Sequence, residues 1–192
     1  MKYLEVVTYH ATQIVSTADL KTHLRITFSD DDAYIAALES AAVGMVEEYT
    51  NRYMLETTVN QYGNKFSDLE ILFKSPVKKS GWRAYYRKDD LWIVIDAEDI
   101  EVVYAISPSR VYATDKGSIP SVSTDDVFQA WYINYDVGYA TVGDIPAALI
   151  QAIKIIVADL YENRQSVIVG KMVSEIPKTA TYLMNPYRVQ TL

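Results

Sequence analysis

The chain has no cysteine and only two histidines, His10 and His23. The first absence excludes disulfides, thiolate catalysis and cysteine-bound zinc, and it is compatible with a reducing compartment. The second leaves little for acid–base chemistry. A Ser–His–Asp arrangement would have to use one of those two side chains, and no Gly-x-Ser-x-Gly elbow is present. His23 sits in a short helical stretch beside apolar neighbours, where a structural or surface role is the plainer reading. Positive charge is scarce as well. Lys and Arg total 18 against 25 Asp and Glu, for a formal net charge of −7. That balance disfavours general affinity for DNA phosphates and suits solubility, or a surface that repels nucleic acid. Long hydrophobic runs are missing too. The most apolar stretch, 145–161, carries Gln151, Lys154 and Asp159 and is too short and too polar to span a bilayer. The opening MKYLEVVTYHATQIVS has no signal-peptide apolar run. The expectation is a soluble protein with no membrane partner.

What is present is ordinary globular material. The 192 residues are 49% hydrophobic and 22% charged, enough for one domain with an insertion or for two small domains. Sixteen tyrosines and three tryptophans suit surfaces that become interfaces, because each ring has an apolar body and a polar tip. The blander reading is that β-rich segments collect aromatics anyway.

Two helical stretches bracket a β-patterned middle. Residues 4–15 read as an extended lead-in. Ser16 or Thr17 caps a short helix over 18–24. Ser29 caps a longer one, with Asp30, Asp31 and Asp32 at its positive end. Ile35, Leu38, Ala42, Met45, Val46 and Tyr49 form its apolar stripe. Ala36, Ala37, Ala41 and Gly44 leave a small flank for close helix approach, while Glu39, Glu47 and Glu48 are expected to face water. Strands are expected over 57–62, 69–73, 91–95, 101–106, 110–114 and 127–137, separated by Gly, Pro, Asn and Asp turns. Pro146 then opens a helix that buries Leu149, Ile153, Ile156, Val157 and Leu160. Residues 166–173 read as a loop or short strand, 179–184 as a short helix stopped before Pro186, and 187–192 as an exposed tail. The fold class is therefore α+β: a helical bundle from the N- and C-terminal segments with an inserted antiparallel β module. The expected divisions are 1–56, 57–143 and 144–192.

Little here carries catalysis. Gly138 and Gly143 have the spacing of a phosphate loop, but Asp144 stands where lysine is required, so they read as loop punctuation. Asp30–Asp32 lack the spacing of a calcium loop. No carboxylate pair stands out for hydrolysis. No cofactor and no metal are expected. The distinctive charge feature is central. Lys74, Lys78, Lys79, Arg83, Arg87 and Lys88 fall in fifteen residues without an acid, interleaved with Trp82, Tyr85 and Tyr86. Asp96, Glu98, Asp99 and Glu101 follow. A basic loop over 74–88 fits a nucleic-acid-binding module facing DNA, an inter-subunit contact between the basic and acidic groups, or simply a solvated hairpin.

Several ordered motifs resemble the tailed-bacteriophage head–tail connector, or adaptor, family. They are Leu20-Lys21-Thr22-His23-Leu24-Arg25, the acidic Asp30–Asp32, and Glu48-Tyr49-Thr50-Asn51-Arg52. In the second half they are Tyr135-Asp136-Val137-Gly138-Tyr139, Ile145-Pro146-Ala147-Ala148, Leu160-Tyr161-Glu162-Asn163-Arg164 and Leu183-Met184-Asn185-Pro186-Tyr187-Arg188. Residues 64–123 fit no family pattern. The resemblance implies a non-enzymatic virion protein of the neck, assembled in the host cytoplasm. Its partners would be itself, in a ring typically of twelve subunits, the portal protein, and a stopper or tail-completion protein. Genomic DNA would pass through the ring without sequence-specific binding. Pro186, Tyr187 and Arg188 are then candidates to dock on the portal, the alternative being that Tyr187 packs back on the helices.

Overall fold

The computed structural model describes residues 3–9, 12–74, 81–104, 108–114, 119–120, 129–164 and 176–190. The architecture is mixed α+β, and the chain folds as two compact units that interleave along the sequence. A helical unit takes 11–50 and 141–188. A β unit takes 1–10, 51–140 and 189–192.

In the helical unit, α1 spans Thr17–Leu24, α2 Asp32–Thr50, α3 Ala147–Glu162 and α4 Lys178–Met184. Ser16 caps α1: its hydroxyl oxygen accepts the Asp19 N–H at 3.1 Å and its O–H donates to the Asp19 carboxylate at 2.7 Å. Arg25 closes that helix in the left-handed region, at φ 58°, and the Ile26 N–H returns to the Lys21 carbonyl at 2.9 Å. Ser29 is not the cap of α2. The first i→i−4 bond runs from the Ile35 N–H to the Asp31 carbonyl at 2.8 Å, so the helix starts two residues later than the acidic run suggests.

Ile35, Ala42, Val43 and Val46 line the buried face of α2, and Leu149, Ala152, Ile153, Ile156 and Val157 that of α3. The two helices pack on each other, and α3 also contacts α1 and α4. The glutamates depart from expectation. Glu39 is 4% exposed and Glu47 8%, while Glu48 is exposed. The Glu39 carboxylate accepts the N–H groups of Ile14 at 2.9 Å and Val15 at 3.1 Å, so the segment before α1 supplies the donors that water would otherwise provide. Ala37, Ala41 and Gly44 are exposed, and a Cβ on Gly44 would meet nothing within 4 Å.

In the β unit, β1 is Tyr3–Tyr9, β2 Thr57–Gly63, β3 Arg83–Lys88, β4 Leu91–Val94, β5 Ile100–Val103, β6 Arg110–Ala113 and β7 Trp131–Val137. Five of them form an antiparallel sheet in the order β1-β2-β7-β3-β4, and β5 pairs with β6. The lead-in 4–15 thus contains a strand. The expected strand over 69–73 is absent: a 3-10 turn covers Phe66–Leu69 and only Ile71 makes a single bridge, to Arg110. The last strand begins at Trp131 rather than 127. Residues 105–106, 127–128 and 191–192, parts of the expected segments 101–106, 127–137 and 187–192, lie outside the described residues, and so does all of 166–173.

Alternation sets the two sides of the sheet. Thr57, Val59, Gln61, Trp131, Ile133, Tyr135 and Val137 are buried, and the residues between them are half-buried. Gln61 is fully buried and saturated. Its amide donates to the Ile71 carbonyl at 2.8 Å, and its oxygen accepts the Tyr135 hydroxyl at 2.8 Å and the Phe73 N–H at 3.2 Å. On its other side the segment exchanges two backbone bonds with the residues around Arg110, Leu72 N–H to the Ser109 carbonyl at 2.9 Å and Val111 N–H to the Glu70 carbonyl at 3.0 Å, so 70–72 form a single bridge rather than a strand. Burial pushes the Tyr135 hydroxyl far above its ordinary range. Gly138 is at φ +88°, and a Cβ there would sit 2.1 Å from the Leu55 carbonyl oxygen, so only glycine fits.

Candidate interaction surfaces

The second part of the basic stretch is a strand, and 75–80 lie outside the described residues. Arg83 to Lys88 form β3, which turns at Asp89-Asp90 into β4. Lys78 and Lys79 lie outside the described residues. Lys74, at the start of the stretch, holds its ammonium 5.4 Å from the centre of the Tyr53 ring. Trp82 is half-buried against the apolar core. Arg83 and Lys88 are exposed. Arg87 pairs with Asp90 at 2.9 Å and lies 6.0 Å from the Trp92 ring centre, with its Nε buried and without a hydrogen-bond partner. Of the acidic partners, Asp96 and Glu98 are exposed and Asp99 is half-buried, in the turn leading to β5. Of the expected groups, Arg83, Arg87 and Lys88 thus lie on β3 and Asp96, Glu98 and Asp99 follow β4, within the β unit.

Pairing builds something that sequence order hides. Tyr3 faces Tyr62 across β1–β2, Tyr62 faces Tyr132 across β2–β7, and Tyr132 faces Tyr85 across β7–β3. Tyr85 and Tyr132 stack at 4.4 Å and 8°, and Trp92 of β4 stands edge-on to Tyr132 at 4.6 Å. A row of five rings thus crosses the outer face of the sheet. Tyr62, Tyr85 and Tyr132 are half-buried against neighbouring rings, while Tyr3 and Trp92 at the ends of the row are exposed. Burial, then the neighbouring tyrosines, push the Tyr132 hydroxyl up to about 12. Polar groups continue the row: Glu5 accepts from the Tyr62 hydroxyl at 2.9 Å, and Asn134 donates to Asn60 at 2.8 Å. Arg83 lies on the same face, opposite Asn134. The period of two is visible in the sequence around Tyr62, Trp92 and Tyr132, but nothing local reveals that the rings align.

In the helical unit the acidic run joins elements. Asp32 pairs with Lys21 of α1 at 2.7 Å. Asp31 accepts from the Tyr161 hydroxyl and from Arg164, at the far end of α3. Those two hydrogen bonds, the Tyr161 one first, hold the Asp31 carboxyl below its usual range. The Arg164 guanidinium lies 4.7 Å from the Tyr34 ring centre and 4.6 Å from that of Tyr161. At the C-terminal side, a 3-10 turn covers Asn185–Tyr187. Asn185 accepts the Tyr49 hydroxyl at 2.6 Å, and Arg188 covers the Tyr49 ring at 5.2 Å. Pro186 and Arg188 are exposed and Tyr187 is half-buried. The tail is not wholly exposed, because Val189 is buried.

His23 is on the surface, and His10 lies outside the described residues. Among the described residues no group of three or more potential ligands is placed to hold a metal, and no helix is long and apolar enough to cross a membrane.

The chain belongs to the phage gp6-like head–tail connector protein family, whose model matches residues 15–78 and 118–188, more than half of its length. No curated protein matches it. Solved structures do. A chain in the neck of an empty GTA particle computed with C6 symmetry is 18% identical, with a TM-score of 0.76 over 99% of this chain and 97% of that one. A chain in the virion of a native gene transfer agent particle is 19% identical, with a TM-score of 0.76 over 98% and 96%. One in the neck of a native GTA particle computed with C12 symmetry is 17% identical, with a TM-score of 0.71 over 99% and 97%. At these identities the likeness is one of fold. The family match leaves out 79–117, which contains β3 to β6.

Proposed function

We propose that this chain is the subunit of a ring in the virion neck, lying between the portal and the stopper or tail and extending the DNA channel. The family match carries this reading, because it includes both helical segments and their terminal motifs. The C12 symmetry of the neck in one fold relative supports a ring of about twelve copies. The role is contact without catalysis. In this reading α1 to α4 form a helical bundle drawn from 1–56 and 144–192, and 57–143 is an insertion. A net charge of −7 suits a subunit past which DNA slides without being gripped.

Pro186, Tyr187 and Arg188 dock on the portal: two of them are exposed, and the turn is braced by Tyr49. The surface from Arg83 to Asp99 joins one subunit to the next. The experiment is to mix the purified chain with its portal and image the complex. A ring seated on the portal is expected. A chain that stays monomeric with portal present, and does not complete virions, overturns the reading.

A further inference from the structure

The five-stranded sheet ends in one edge, β4, without the usual protection and another, β1, with little of it. Native edge strands carry lysine, proline or strong bulges, because an unpaired row of N–H and C=O groups invites another strand. β4 reads Leu-Trp-Ile-Val, with no charge and no proline, and leaves Leu91 68% and Val94 50% exposed. β1 carries one charge, Glu5, and a register irregularity between Val6 and Thr8. It still leaves Val7 52% exposed, and six of its seven residues are exposed. Among the described residues neither strand has a partner on its outer side.

We propose that β4 of one copy pairs with β1 of the next, so that the sheet continues from subunit to subunit. The inference rests on the ring reading and names the surface that closes it. Four successive antiparallel pairings leave β1 and β4 running in the same direction. A rotation about an axis along the strands therefore sets β4 beside β1 of a neighbour, as a parallel pair. Each copy uses two different edges, which is what a head-to-tail ring requires. Pairing of like edges would instead be antiparallel and would stop at two copies.

Charge favours the unlike pairing. On the outer face, the β1 end carries Glu5, which among the described residues meets the neutral donors Tyr62 and Asn60. The other end carries Arg83, exposed and without an ion pair among the described residues, while Arg87 is already paired with Asp90. Like-edge contact gathers charges of one sign, whereas unlike-edge contact brings opposite signs together. The row of five rings would then run on around the assembly.

The absence of cysteine makes the test clean. Single cysteines placed in turn at 91–94 are mixed with single cysteines placed in turn at 5–8, in the full chain assembled with portal, and oxidised. Disulfide dimers are expected from mixtures and not from either set alone, and a variant carrying the best pair should give a ladder of linked multimers. Dimers from one set alone would show like-edge pairing and overturn the proposal. As a second measurement, Val94→Lys should keep its circular dichroism and tryptophan fluorescence and lower ring yield at least tenfold. Rings that form normally in Val94→Lys and never cross-link also overturn it, while leaving the ring reading intact. If no ring forms on the portal at all, the ring reading itself fails.

Discussion

The helical unit and the β unit are held together by different kinds of contact. In the helical unit a few charged side chains tie helix ends: Lys21 to Asp32, Arg164 and Tyr161 to Asp31, Glu39 to the backbone at 14–15. All of these side chains but Glu39 sit in motifs that stand out in the sequence. The β unit is held by ladders, by the buried Gln61–Tyr135 pair and by aligned rings, none of which forms a contiguous motif. A helix terminus can be recognised from its neighbours. A sheet face cannot, because each of its rows draws on strands far apart in the chain.

The two units can be followed separately, which makes the comparison breakable. Trp82, Trp92 and Trp131 all belong to the β unit, so tryptophan fluorescence reports on it. The four helices dominate circular dichroism at helical wavelengths. The largest effect should come from Gly138→Ala. The added methyl meets the Leu55 carbonyl, and a loss of about 3 kcal/mol or more is expected in the fluorescence-detected denaturation. A shift of equal size in both signals would mean that the units unfold as one.

Next comes Glu39→Ala, expected to cost about 2 kcal/mol in the helical signal, because two buried N–H groups lose their acceptor. Glu39→Gln keeps an acceptor and sharpens the point. Burial raises the Glu39 carboxyl above its reference value of 4.5, only partly offset by the two N–H bonds. The folded state then binds the proton more tightly than the unfolded chain, so this group's contribution falls as pH rises above 4.5. The glutamine variant should gain on the parent over that range and show no gain at lower pH. A pH-independent difference would refute the assignment.

Arg25→Gly should be smaller and opposite in sign. Relief of the left-handed conformation is expected to stabilise α1 by about 0.5 kcal/mol, seen as a higher denaturant midpoint. Asp31→Asn should be the smallest. Its carboxyl is held below the reference value of 3.8, so its contribution is present above that pH and is lost as pH falls through the lowered value. The variant should lose a little helical stability at neutral pH, less in high salt, and match the parent in strong acid. If Asp31→Asn exceeds Glu39→Ala, the helix ties outweigh burial in that unit.

Much of the helical unit was legible. The Ser16 cap, α1, the body of α2, Pro146 opening α3 and the halt near Pro186 follow from local chemistry. The acidic run was read as a cap, whereas Asp31 and Asp32 mainly join α2 to other helices. The expectation that Glu39 faces water failed because helical periodicity says nothing of a segment that folds back from 25 residues earlier. In the β unit, β2, β4, β6 and most of β7 were visible in the alternation. β3 was not, because Arg83, Tyr85 and Arg87 look like a solvated loop when their cross-strand partners are unknown. The strand expected at 69–73 is reduced to one bridge: Gln61 bonds to Ile71 and Phe73 on one side, and two backbone bonds reach 109–111 on the other.

The sequence by itself determined the helices and their ends, the acidic balance, the lack of thiol chemistry and the motifs shared with the connector family. These depend on residues within a turn or two of one another, or on simple sums. Only the tertiary structure decided that Asp31 meets Arg164, that Glu39 is buried, and that five rings from five strands align above two exposed edges. Those outcomes depend on strand register and helix packing. Both are set by the whole chain at once, when apolar faces find cover and every buried polar group must find a partner.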